Sequence, residues 1–246
     1  MSSMPRYVSI LWFLIGISQF TSISRSQVMV KPEQGEVGLS KHPWQYGVYV
    51  QGGLPPEYVI SYSGDSNFPV PLTLDLYSAG IVVGKQTRRF DSFVPLRGRG
   101  EVLLEVVPFW LAQYPAQNLT VHYNKSDTTY SLGHWSGQNV HGVSITPFLL
   151  RWNFSQRDSA RIVPWAQFGG GLLWTNQKFP LTFAAPATSA LNFTPQLGAG
   201  VNIFNKPKHS VNFAVKAIHY SNAGMSSYNP GLQVTLQFSA GYSWWK

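Results

Sequence analysis

Near its C-terminus the chain reads Ala217-Ile-His219-Tyr-Ser221-Asn222-Ala-Gly224, with Asn229-Pro230-Gly231 shortly after. An imidazole and a hydroxyl two residues apart are what a serine hydrolase needs: a general base to take a proton and an oxygen to attack an ester carbonyl. In an extended segment, residues i and i+2 share a face with their Cα atoms ~7 Å apart, so His219 and Ser221 project together. The turn after Ser221 can offer backbone N–H groups to a developing oxyanion. The same pair also suits a membrane interface, hydrogen-bonded to headgroups or water. Spacing alone leaves both readings open, and it says nothing about which ester is cut.

The segment that carries the pair decides what it faces. His219 and Ser221 continue the series Val211, Phe213, Val215 and Ala217, an apolar face on which polar groups are costly unless they pair or work. The next and last segment shows the patterning most plainly. From Leu232 to Trp244 an apolar set (Leu232, Val234, Leu236, Phe238, Ala240, Tyr242, Trp244) alternates with uncharged polar or small residues. Such a strand separates lipid from a polar barrel interior. Six further extended segments precede these two: 46–51, 72–84, 101–114, 143–154, 162–174 and 191–204. Eight antiparallel strands, with short turns at one end and longer connections at the other, predict an all-β, up-and-down transmembrane barrel of the outer-membrane type. Pro108, Pro147, Pro164 and Pro195 fall inside four of the runs, where bulges or barrel rims are expected. Gly169-Gly170-Gly171 reads as a tight bend or a close strand contact. A soluble ligand-binding barrel of eight strands is the competing architecture, but it would carry charge on the polar face of its strands.

Composition narrows the class. The 246 residues include 15% aromatics and only 11% charged residues, with 18 Lys and Arg against ten Asp and Glu. That excludes a disordered chain, which is poor in aromatics and rich in charge. A helical membrane bundle needs several unbroken apolar stretches of ~20 residues, and these are missing. With no cysteine, thiol nucleophiles and cysteine zinc sites are excluded. The start, Met1 to Arg6 followed by an apolar core from Tyr7 to Ile17 and serines at 22, 24 and 26, reads as a secretory signal peptide over residues 1–26, cleaved after Ser24 or Ser26. Residues 27–246 then form one barrel domain. The histidines show no metal-ligand spacing, so neither metal nor cofactor is expected. Scattered basic residues in an exported chain speak against nucleic acid as a partner. Arg88, Arg89, Arg97, Arg99, Lys206 and Lys208, at loop ends, are candidates to meet the phosphates of an anionic partner, with solubilising loop charge the commoner role for any one of them.

HYSNAG followed by NPG, in the penultimate strand and final turn, resembles the signature of the lipid A 3-O-deacylase family. A looser match runs through Trp165–Thr175 and Phe193–Gly200. Members of that family are outer-membrane barrels that remove the ester-linked acyl chain at the 3 position of lipid A. The resemblance implies Ser221 as nucleophile, His219 as base and the N–H groups of Asn222 and Gly224 as oxyanion donors. It also implies lipid A as partner and a site opening sideways to the bilayer. Family enzymes carry a glutamate fourteen residues after the histidine, where this chain has Gln233. An amide accepts the imidazole's hydrogen bond but does not stabilise imidazolium by charge. Strict alternation also puts Gln233 on the face opposite to His219, unless a bulge near Asn229-Pro230-Gly231 shifts the register. A barrel that binds lipid A without cutting it, or cuts it weakly, is therefore the second expectation.

Overall fold

A strand whose residues alternate in polarity can stand as a wall between two different solvents, and eight such strands close on themselves in this chain. The computed structural model describes residues 43–54, 70–71, 74–123, 128–155, 157, 159–183, 189–225 and 232–246. The signal peptide expected over residues 1–26 and the turn at 229–231 lie outside them. The strands are β1 (Trp44–Leu54), β2 (Val70–Pro71), β3 (Asp75–Phe90), β4 (Gly98–Tyr114), β5 (Gln117–Tyr123), β6 (Thr128–Trp135), β7 (Gln138–Phe154), β8 (Ile162–Phe179), β9 (Thr182–Phe183), β10 (Ser189–Lys206), β11 (His209–Tyr220) and β12 (Leu232–Trp245). The barrel runs β1-β12-β11-β10-β8-β7-β4-β3 and closes through β1, where Gln45 stands opposite Gly84 on one side and Trp245 on the other. Its eight strands correspond to the eight extended segments legible in the sequence. The β5–β6 hairpin and the short β2–β9 pair are additions that the alternation pattern did not announce. Both belong to connections at the same end of the barrel.

That end holds all the long connections, over residues 55–74, 115–137, 180–188 and 221–231, whereas the opposite end joins β10 to β11 through Pro207 and Lys208 alone. The outward face is apolar and the inward face polar. Along β4, Val102, Leu104 and Val106 are exposed, while Glu101 and Glu105 are buried. Inside, Lys216 Nζ lies 2.5 Å from Glu105 Oε2, and Arg151 stands 3.6 Å from Glu101 and donates to Gln167 Oε1. Charges in so dry a place persist only when paired and hydrogen-bonded. This inversion of the soluble pattern is the one a bilayer demands.

Two of the four prolines mark bulges. Gly80 of β3 faces both Val107 and Pro108 of β4, and Leu104 of β4 faces both Pro147 and Phe148 of β7. The missing N–H makes an unpaired position cheap at such points. Pro164 and Pro195, by contrast, sit in unbroken pairing, opposite Val201 and Gly170. Gly169 and Gly171 pack against the Pro147 bulge, while Gly170 faces Pro195 of β10. A Cβ on Gly171 would lie 2.4 Å from the Ile145 carbonyl oxygen, which accounts for the close contact read from the sequence.

Candidate active site

β11 alternates strictly as it approaches the long-connection end. Lys216, Ile218 and Tyr220 are buried inside, and Val215, Ala217, His219 and Ser221 lie on the outward side, the last three half-buried. The pair is thus on the lipid-facing wall, on the face the spacing assigned to it. Tyr220, between the two, is the anchor. Its ring packs among Trp110 and Phe179, with centroids 5.9 and 5.7 Å away, and its hydroxyl accepts a hydrogen bond from Gln237 Nε2 at 2.8 Å. An inward side chain gripped in this way fixes the orientation of its two outward neighbours.

The ladder around His219 is interrupted on both sides. Toward β10, Phe193 and Ser221 exchange both backbone hydrogen bonds, at 2.6 and 3.1 Å. Odd-numbered residues at this end of β10 therefore point their N–H groups at β11. Continuing the register by two residues sets Pro195 opposite His219, and Pro195 has no N–H to give. This explains why Pro195 needs no bulge: its defect faces His219 and leaves the β8 ladder intact. Toward β12, Ile218 pairs with Thr235 but Tyr220 pairs with Leu232, so His219 alone faces two residues, Gln233 and Val234. This is a bulge of the kind considered for the turn at 229–231, which lies outside the described residues. It brings the backbone of Gln233 across from His219.

After Ser221 the chain makes a tight reverse turn. Met225 N–H donates to the Asn222 carbonyl at 3.0 Å, and the central residues Ala223 and Gly224 both have positive φ, +51° and +79°. That is the signature of a type I′ turn, for which Gly is the natural second residue. Asn222 is buried, and its Oδ1 accepts the Gly224 N–H at 2.9 Å, while the Ser221 Oγ accepts the Ala223 N–H at 3.1 Å. Of the two N–H groups expected to receive an oxyanion, those of Asn222 and Gly224, the latter is held by Asn222 Oδ1; a third, that of Ala223, addresses the serine oxygen.

A groove of about 800 Å³ lies on the same wall, and neither His219 nor Ser221 lines it. Ala217, two residues before His219, belongs to it, and Leu197, Phe168, Leu150 and Val102 follow, each directly paired with the last across neighbouring strands. Small residues, Ala166 and Ala199 among them, form its second row. Because the groove follows the hydrogen-bonding direction of tilted strands, it descends the wall obliquely. It runs from the neighbourhood of His219 to Gly100, near the short-turn end of β4. Sequence reading missed it, since its walls come from residues far apart along the chain. The only local signal is the run of small residues on outward positions.

The six basic residues assigned to an anionic partner are elsewhere. Arg88 and Arg89 end β3, Arg97 and Arg99 flank the start of β4, and Lys206 and Lys208 flank the β10–β11 turn, all at the end opposite His219 and Ser221. Loop ends are recognisable in a sequence, but which end of the barrel each belongs to follows only from counting strands correctly.

A family model described as lipid A 3-O-deacylase (PagL) matches residues 104–243, more than half of the chain. None of the curated proteins matches at a significant level. Among solved structures, one titled as the crystal structure of the outer membrane enzyme PagL aligns with 80% of this chain and 97% of its own, at 17% identity and a TM-score of 0.43.

Proposed function

The chain belongs to the lipid A 3-O-deacylase family, and from that premise we propose that it hydrolyses the ester-linked 3-O acyl chain of lipid A in the outer membrane. His219 removes the Ser221 proton as Oγ attacks the ester carbonyl. The tetrahedral intermediate collapses as imidazolium returns the proton to the departing sugar hydroxyl, leaving the acyl group on Ser221. Water, deprotonated by His219, then releases the fatty acid and restores the serine. Asn222 and Gly224 N–H groups receive the oxyanion, Gly224 exchanging its Asn222 Oδ1 partner for the stronger charged acceptor. Gln233 orients the imidazole from across the β12 bulge. No cofactor is required, because the nucleophile, base and backbone donors suffice.

The observation that carries this reading is that His219 and Ser221 lie on the lipid-facing wall, His219 one outward position beyond Ala217, which lines an apolar groove. A substrate already seated in the bilayer brings its ester to the pair while its acyl chain lies along the groove. Purified protein in detergent is expected to release a 3-hydroxy fatty acid from lipid A, and Ser221→Ala to abolish release with the barrel intact. The second reading, a barrel that binds lipid A and cuts it weakly or not at all, is favoured by one residue, Gln233. In a serine-protease triad the comparable acid-to-amide exchange costs about 10⁴ in turnover. Restoring the acid with Gln233→Glu separates the two readings. A rate gain of up to about 10⁴ supports a handicapped enzyme, and no release from either form supports binding alone.

A further inference from the structure

We propose that the short-turn end of the barrel is a binding surface for anionic phospholipid headgroups of the membrane leaflet opposite to the active site. The charge is strongly polarised along the barrel. At the short-turn end, segment 85–99 holds five cations and one acid, 155–162 two and one, 205–209 two and none, and Lys246 ends the chain. That is ten cations against two acids. The long connections at the other end (55–75, 115–137, 177–189 and 221–231) hold two cations and four acids. Lipid A phosphates near His219 therefore find little basic charge there, and the attraction for phosphate is concentrated a full strand length away.

The geometry at that end is a built one. On adjacent strands, Lys85 pairs with Trp44, Tyr46 with Trp244, and Trp244 with His209, so one continuous arc of outward side chains crosses β3, β1, β12 and β11. Lys85 Nζ stands 5.2 Å from the Trp44 ring centroid, Tyr242 and Trp244 are in edge contact at 5.1 Å, and the Tyr242 hydroxyl is 3.0 Å from His209 Nδ1. Exposed Lys206 and Lys208 continue the arc beyond His209. Rings with polar tips belong at the boundary between acyl chains and headgroups, and lysines just beyond them lie at phosphate level. An outer-membrane barrel keeps its short turns on the periplasmic side, so this arc meets the phospholipid leaflet. The inference rests on the membrane-barrel reading but not on hydrolysis.

The test is native mass spectrometry of the full chain in detergent micelles doped with phosphatidylglycerol or phosphatidylcholine of the same acyl chains. Phosphatidylglycerol is expected to be retained preferentially. Lys85→Gln, Lys206→Gln and Lys208→Gln should each lower that preference by about fivefold, with the β-sheet circular dichroism and lipid A turnover unchanged. Equal retention of the two lipids, or a preference indifferent to the lysines, overturns the proposal. Displacement of phosphatidylglycerol from these lysines by lipid A also overturns it and would assign the end to the substrate. A protein that stays dissolved without detergent would instead sink the membrane-barrel reading itself.

Discussion

The sharpest constraint at the scale of single residues is that His219 and Ser221 are neighbours on a strand whose intervening side chain is locked inside. Tyr220 is buried inside the barrel, yet it sets the direction in which both outward groups project. Loss of its ring should therefore act on orientation. Tyr220→Ala is expected to lower kcat by about 10²-fold, because small displacements of reacting groups have effects of that size. Tyr220→Phe keeps the ring and costs only about 1 kcal/mol, because Gln237 Nε2 loses one acceptor and keeps Thr235 Oγ1. Steady-state kinetics and urea midpoints of the two variants distinguish these effects. The pair and its face were legible in the sequence because period-two spacing is a local property. The identity of residue 233 was equally legible. Its position across from His219 was not, since that depends on one extra residue in β12 relative to β11, which leaves no mark in the alternation of either strand.

Among the elements, strand existence was readable and strand registry was not. β12 declares itself by thirteen alternating positions, and Pro108 and Pro147 announced two bulges through the hydrogen bonds they lack. Pro195 shows the limit of that rule. A proline disrupts only the neighbour its nitrogen faces, and nothing in the sequence tells which neighbour that is. The oblique groove is a product of registry in the same sense. Residues such as Val102 and Leu236 line one trough only because five successive ladders align them. Filling its second row tests whether the acyl chain lies there. Ala199→Trp removes contact equivalent to about two methylenes, so KM for lipid A should rise roughly tenfold. An unchanged kcat would identify the loss as binding common to ground and transition states. Deacylation kinetics with lipid A in mixed micelles check this directly.

Taken whole, the barrel is a cylinder with its charges sealed in the middle. Lys216 and Glu105 meet in the polar interior, with Gln196 donating to the second Glu105 oxygen at 3.1 Å. Lys216→Met leaves that carboxylate uncompensated and is expected to cost about 3–5 kcal/mol, whereas Glu105→Leu added to it should recover most of the loss. Urea titrations of the refolded proteins report both. Such pairs escape sequence reading because Glu105 and Lys216 are far apart in the chain and nothing local links them. The closure of the cylinder carries a temporal consequence. Its first strand waits for its last, and the segment that completes the ring is also the one that stands beside His219. A polypeptide released before residue 232 would have two raw margins, and His219 would lack the neighbouring strand that carries Gln233. Biogenesis thus leaves the surroundings of His219 unfinished until the seam has been sewn.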